Sequence, residues 1–251
     1  MKLPRHAGNL LIILFILSGN CKLYCQQADS VSSKNSNNTG FLKPVIIPAA
    51  LIGYGISSIG NNGLYSSADA KSAIQSNFGG FHTRLDDYTV LAPAAAVYIL
   101  HLAGVKGKNS FTDKTLMFAA SGALTGITVL SLKQITNIQR PDGSTFNSLP
   151  SGHTAFAFTS AEFLHQEYKD VSVWYSIAGY SVATATGAMR MLNNRHWMSD
   201  VLIGAGIGML SAKTTYAVYP LVKKKIIRHA NTIFIPAYTN GQAGFAFVYR
   251  F

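Results

Sequence analysis

Lys133-Gln-Ile-Thr-Asn-Ile-Gln-Arg140-Pro141, then Pro150-Ser151-Gly152-His153, then Arg190-Met-Leu-Asn-Asn-Arg-His196-Trp-Met-Ser-Asp200: three short polar clusters interrupt an otherwise apolar stretch between Lys133 and Asp200. Outward from them lie five apolar segments, 88–105, 115–132, 154–165, 172–189 and 201–219. Most are roughly 17 to 19 residues long, the lower limit for a membrane span. The third is shorter and carries Glu162, so it spans only if packed inside a bundle. A further apolar run at 45–56 is short and interrupted by Pro48 and two glycines; whether it crosses is left open, and a site facing the periplasm requires that it does not. Residues 60–87 are mixed and polar, with Asp86-Asp87 placed to start the helix that follows.

Composition agrees with a helix-rich protein buried in lipid or in a large core. Hydrophobic residues make up 48% of the 251 residues and charged ones 12%, about half the usual share for soluble domains. Against this, the mean hydropathy of +0.20 is modest for a chain with many spans. The net charge of +11, from 21 Lys and Arg against 10 Asp and Glu, suits phosphate-bearing substrates or an anionic membrane surface. Nothing resembles the basic–aromatic interleaving that tracks nucleic acid, and no nucleic-acid partner is expected.

At the N-terminus, Lys2, Arg5 and His6 precede the apolar run 10–17 and Ser18-Gly19, the pattern of a secretory signal cleaved between about Asn20 and Gln26. Both cysteines, Cys21 and Cys25, sit at this boundary, in a context poorly matched to lipidation. Cleavage after Cys25 leaves no thiol for a disulfide or a thiolate metal site. The Ser-, Asn- and Gln-rich stretch that follows reads as a disordered linker. Toward the C-terminus, Lys223-Lys224-Lys225 and Arg228 form a basic run. Beyond it, 232–237 and 243–251 flank Asn240-Gly241, a dipeptide suited to a tight turn. Phe245, Phe247, Tyr249 and Phe251 alternate onto one strand face. Two strands cannot close a barrel, so the hairpin is expected to dock on the helices. The expected organisation is a signal peptide at 1–25, a linker at 26–43, a helical domain at 44–222, and a basic segment with hairpin at 223–251. The expected fold is an all-α, membrane-embedded bundle of about five to six helices with a small C-terminal β-hairpin.

Taken singly, each polar cluster has an ordinary reading beside a chemical one. Lys133 and Arg140 are seven apart, so a helix reaching Arg140 puts both on one face, with Pro141 ending it. They are a cation pair for a dianion, or two side chains snorkelling at a membrane boundary. Ser151 reads as an N-cap and Gly152 as a point of close backbone approach, making a helix start with free N–H groups for an anion. His153, in the first turn, is an acid for a leaving oxygen or simply an exposed residue of a capped helix. Asp200, four residues after His196, either bonds imidazole Nδ1 and frees Nε2 to attack phosphorus, or caps the last helix; both jobs together are expected to need both carboxylate oxygens.

Jointly, the order and spacing Lys133-x6-Arg140-Pro141, Pro150-Ser151-Gly152-His153 and Arg190-x5-His196-x3-Asp200 resemble the three signature motifs of the type 2 phosphatidic acid phosphatase superfamily. That group includes lipid phosphate phosphatases, bacterial class A acid phosphatases and vanadium haloperoxidases. The resemblance covers about residues 85–220. One position departs from it: Met189 stands where Ser usually precedes the Arg. The resemblance implies that Lys133, Arg140 and Arg190 bind phosphoryl oxygens, with Ser151 and the Gly152 N–H adding hydrogen bonds. It implies that His196 is the nucleophile, oriented by Asp200, and that His153 is the acid and then the base. No metal or cofactor is implied. The expected substrate is a phosphorylated lipid or another phosphate ester, hydrolysed through a phosphohistidine. The alternatives are a soluble periplasmic acid phosphatase, a haloperoxidase and an inactive envelope protein. Lys106, Lys108, Lys114, Lys169, Lys223, Lys224, Lys225 and Arg228 lie on the face opposite the clusters, which turns the site toward the periplasm from an inner membrane.

Overall fold

The computed structural model describes residues 43–229, 232–239 and 242–249. The signal, the linker as far as residue 42, both cysteines and the Asn240-Gly241 turn lie outside the described residues. Eight helices follow one another: α1 (Lys43–Ser57), α2 (Ser67–Phe78), α3 (Leu85–Thr89), α4 (Ala92–Leu102), α5 (Phe111–Thr136), α6 (Gly152–Tyr168), α7 (Val173–Leu192) and α8 (Met198–His229). Two strands, β1 (Thr232–Thr239) and β2 (Gln242–Tyr249), pair antiparallel with each other.

The expected fold is corrected in two respects. Among the described residues there are eight helices where five to six were expected, and no hairpin belongs to the bundle, because neither strand packs extensively on a helix. The extra helices are α2 and α3, which carry no apolar run and so escape a reading by hydrophobic segments. What holds α2 is local. Ser66 caps it by accepting from Asp69 N, while the Asp69 carboxylate accepts from Ser66 N at 3.0 Å, a reciprocal capping box. The run at 45–56 is also regular helix in spite of Pro48. At about 22 Å, α1 remains short of a ~30 Å hydrocarbon core.

The bundle is built round α6, which packs against α4, α5, α7 and α8. Being surrounded, α6 buries small residues on several sides, among them Ala155, Ala157, Ser160 and Ala161, and anchors its far end with Phe163 and Tyr168. Its carboxylates are buried only with partners. Glu162 meets Lys213 at 2.8 Å and the Tyr180 hydroxyl. Glu167 accepts from Asn109 Nδ2 and from the Tyr216 hydroxyl, each at 2.6 Å, and lies 3.5 Å from Lys114. Lys114, counted above among the face charges, is therefore fully buried. Removing either partner of such a pair strands a buried charge.

Along α8 the close contacts are made by glycine. A Cβ on Gly208 would stand 2.1 Å from Ala155 O and 2.9 Å from Thr159 N, and one on Gly204 would stand 2.7 Å from Ser151 O. Both obstacles are α6 backbone, which cannot rotate away. Gly208→Ala is expected to destabilise the protein by about 3 kcal/mol, the upper end of ordinary overpacking. Thermal unfolding in detergent measures this, and an unchanged midpoint would contradict so close an approach.

α5 and α8 are long and apolar enough to cross a membrane. Only 22% of the apolar window of α5 is buried, and Ile127, Leu130 and Ile135 project from it into the surroundings. α8 continues past Tyr219 through Pro220 and the basic run.

Candidate functional site

Four helix ends meet where the three polar clusters lie: the C-termini of α5 and α7 and the N-termini of α6 and α8. α5 was expected to reach Arg140, and it stops short. It stops at Thr136 because Asn137 adopts the left-handed conformation, φ 46°, with its N–H turned back to Lys133 O. Arg140 sits instead in a folded loop, held by Arg140 N to Thr145 O at 2.9 Å and Ser148 N to Ile138 O at 2.9 Å. The two cations are joined through Asn147, whose carbonyl accepts from Lys133 Nζ and whose side-chain oxygen accepts from Arg140 Nε at 3.1 Å. The same loop is fastened from outside. Arg195 bonds Asp142 at 3.2 Å, and Trp197 Nε1 bonds Gln139 O at 2.8 Å beneath the Lys71 ammonium.

Ser151 is the N-cap of α6, fully buried, its Oγ accepting from the Thr154 N–H and, at 2.9 Å, from the Thr154 hydroxyl. Its own N–H donates to Asp200 O at 3.0 Å, which joins the start of α6 to the start of α8. Gly152 and His153, both half-buried, form the first turn. His153 Nε2 lies 2.9 Å from Asp87 Oδ1 on α3.

His196 and Asp200 are buried together, with Nδ1 to Oδ2 at 3.2 Å. That oxygen also accepts from Ser148 Oγ and, at 2.9 Å, from Trp197 N. Orienting the histidine and capping α8 thus fall to one oxygen, Oδ2, where two had been expected; Oδ1 is buried with no hydrogen-bond partner among the described residues. With Nδ1 engaged, Nε2 is the nitrogen left for chemistry. Burial drives the His196 imidazole down to about 4 in spite of Asp200, and the positive charges of Lys133 and Arg190 add to the shift. Arg140 is lowered for the same reasons, burial first and then Arg190. Cations gathered this closely repel one another, and a bound dianion relieves that repulsion.

Arg190 is nine-tenths buried on the last turn of α7. Its Nη1 bonds Asp86 Oδ2, and Asn193 Nδ2 reaches Asp86 Oδ1 at 3.3 Å. Arg190 Nε is buried with no acceptor among the described residues. Met189, in place of the usual Ser, shows only a backbone link, Asn193 N to Met189 O at 2.9 Å.

All eight residues picked from the sequence therefore surround one site. Sequence reasoning missed Asp86, Asp87, Asn147, Ser148 and Asn193. The adjacent pair Asp86-Asp87 was visible but carried only a helix-start signal; its partners lie more than sixty residues away. A groove of about 490 Å³ opens beside Lys133 and His153, walled by Val90, Leu91, Val129, Leu130 and Phe156. Among the described residues, no group of three or more His, Cys, Asp or Glu is placed to hold a metal ion.

The sequence profile of the PAP2 superfamily matches residues 114–224, the span holding all three clusters. A lipid A 1-phosphatase of Porphyromonas gingivalis is 45% identical over 145 residues, 57% of this chain and 33% of that protein. The chain thus spans about a third of that relative's length, 33%. Among solved structures, a transmembrane PAP2-type phosphatidylglycerolphosphate phosphatase from Bacillus subtilis shares the fold, with a TM-score of 0.51 at 19% identity over 73% of this chain and 98% of that one. LpxE of Aquifex aeolicus aligns with a TM-score of 0.44 at 22% identity, over 58% of this chain and 93% of that chain.

Proposed function

We propose that the chain is a phosphatase of the PAP2 superfamily, whose profile matches residues 114–224, and that it hydrolyses phosphate monoesters or diphosphates of a lipid through a phosphohistidine. The observation that carries this is the buried His196, fixed through Nδ1 by Asp200 and close to the charges of Lys133 and Arg190, with Arg140 beside both cations. The three cations hold the phosphoryl oxygens and stabilise the charge that grows on them as His196 Nε2 attacks in line. The P–O bond to the leaving group breaks, and His153 supplies the proton that makes the leaving oxygen an alcohol. Water activated by His153 then releases phosphate from His196. The Ser151 cap and the Gly152 N–H complete the anion cradle at the start of α6. No step needs a metal ion.

Two features support a lipid substrate at a membrane over a soluble phosphate ester. The groove beside His153 is walled by apolar side chains, which suits the hydrocarbon part of a leaving group. The outward face of α5 is apolar from Leu116 to Leu130, which suits lipid contact. The 45% identity to a lipid A 1-phosphatase favours a saccharolipid phosphate within that class. Lys106, Lys108, Lys169 and the lysines at 223–225 lie at the bundle end away from the site, consistent with a site facing the periplasm from the inner membrane.

The test is phosphate release by the full chain in mixed micelles of lipid phosphate monoesters, in excess EDTA and across a range of pH. Release is expected in EDTA, and a strict metal requirement refutes the mechanism. The nucleophile must be neutral. Because His196 sits at about 4, kcat/KM is expected to hold as pH falls through the ordinary imidazole range, and to drop only as pH falls through about 4. An acid limb near 6.5 would contradict the buried environment of His196.

A further inference from the structure

Asp87 has no part in the chemistry so far. Its side chain is half exposed, yet Oδ1 lies 2.9 Å from His153 Nε2. A free surface carboxylate gains little from such a pair, so its placement must come from the backbone that carries it. That backbone is pinned to α7 at three points. Asn193 clasps Thr83, accepting from its N–H and donating to its carbonyl, both at 2.9 Å. Asp86 bonds the buried Arg190, and Thr89 Oγ1 lies 2.8 Å from Thr186 Oγ1. The fold therefore fixes where Asp87 meets the histidine. Asp87 and His153 also stand together on the rim of the apolar groove, where a leaving group has to lie.

Resting on the phosphatase reading above, we propose that Asp87 is a positioning residue for the leaving-group acid, holding His153 by Nε2–H so that Nδ1 faces the bridging oxygen. As the P–O bond breaks, its electron pair stays on the leaving oxygen and the Nδ1 proton moves there. His153 is left neutral, with its Nε2–H still on Asp87. In the second half, Nδ1 takes a proton from water while the water oxygen bonds to phosphorus. The bond from His196 Nε2 to phosphorus then breaks, and its electron pair returns to the imidazole.

The charged groups facing His153 come from three elements: Asp86 and Asp87 on α3, Arg190 on α7 and Lys133 on α5. Burial and then Arg190 push the His153 imidazole below its ordinary value, while the Asp87 hydrogen bond and charge, with Asp86 behind, push it back up. Removing the Asp87 charge therefore lowers the pH at which His153 loses its proton.

The experiment uses the full chain in detergent with two probes: dodecyl phosphate, whose alkoxide must be protonated to leave, and p-nitrophenyl phosphate, whose phenolate leaves with little help. Asp87→Asn is expected to lower kcat for dodecyl phosphate by about 100-fold with KM within about twofold, and to lower p-nitrophenyl phosphate turnover by about tenfold less than that. The alkaline limb for dodecyl phosphate should move to lower pH, and Asp87→Glu should recover part of both effects. Added to His153→Asn, Asp87→Asn should cost nothing further. Equal losses on both probes, no loss on either, or an alkaline limb that stays in place would overturn the proposal. If His196→Ala still hydrolyses both probes, the phosphatase reading fails and takes this one with it; if His196→Ala is inactive and Asp87→Asn is indifferent, only this proposal fails.

Discussion

Replacing His196 by alanine is expected to lower kcat by on the order of 10⁵-fold, because the first covalent step has no substitute nucleophile. Ser151, the hydroxyl of the second polar cluster, is committed as a helix cap and fully buried. The fold should survive the change. Asp200 Oδ2 keeps its bonds from Ser148 and Trp197, so the carboxylate is not left unpaired. Phosphate release measures the loss. With a ³²P-labelled substrate, the wild type should carry an acid-labile label on quenching and His196→Ala none. A variant with wild-type turnover would end the phosphohistidine mechanism.

The second large effect concerns Arg190 and separates stability from catalysis. Asp86 is 1% exposed, and its principal partner is Arg190 Nη1. Arg190→Met removes a donor to the transferring phosphoryl group, which should reduce kcat/KM by on the order of 10²- to 10³-fold. It also leaves a buried carboxylate with only the long Asn193 bond, a loss of about 3–5 kcal/mol. Adding Asp86→Asn removes the stranded charge, so the double variant is expected to regain most of the stability and none of the activity. Thermal unfolding and kcat/KM, measured on both variants, give the two quantities separately. A double variant no more stable than Arg190→Met would mean that the ion pair is not what Asp86 contributes.

What could be read from the sequence follows from how far apart cause and effect lie along the chain. The three polar clusters were legible because each is local: a histidine and an aspartate four apart at a helix start, a serine one residue before a helix, an Arg before a Pro. The long apolar helices were legible by composition. α2 and α3 were not, since a capping box and a pair of clasps to Asn193 hold them where no apolar stripe does. The end of α5 was misplaced by four residues because Asn137, an ordinary polar residue in the sequence, takes the left-handed cap. Asp87 was seen and read only as a helix-start charge, since its contact with His153 spans 66 positions.

The glycine contacts between α6 and α8 bear on how such a protein can change over time. Ser151 and the pair His196 and Asp200 are mounted at one end of a seam where the two backbones touch, with Gly204 against Ser151 and Gly208 against Ala155. The spacing between the start of α6 and the His196–Asp200 pair is thus a property of two main chains, indifferent to most side-chain substitutions around it. The leaving-group side has the opposite construction. Asp87 rides on a five-residue helix outside the span shared with the superfamily profile, tethered by hydrogen bonds that other side chains can replace. Drift in that half can retune which alcohol is released while the machinery that cleaves phosphate stays in register. Relatives with new substrates should therefore differ first around α2 to α4 and keep the two glycines.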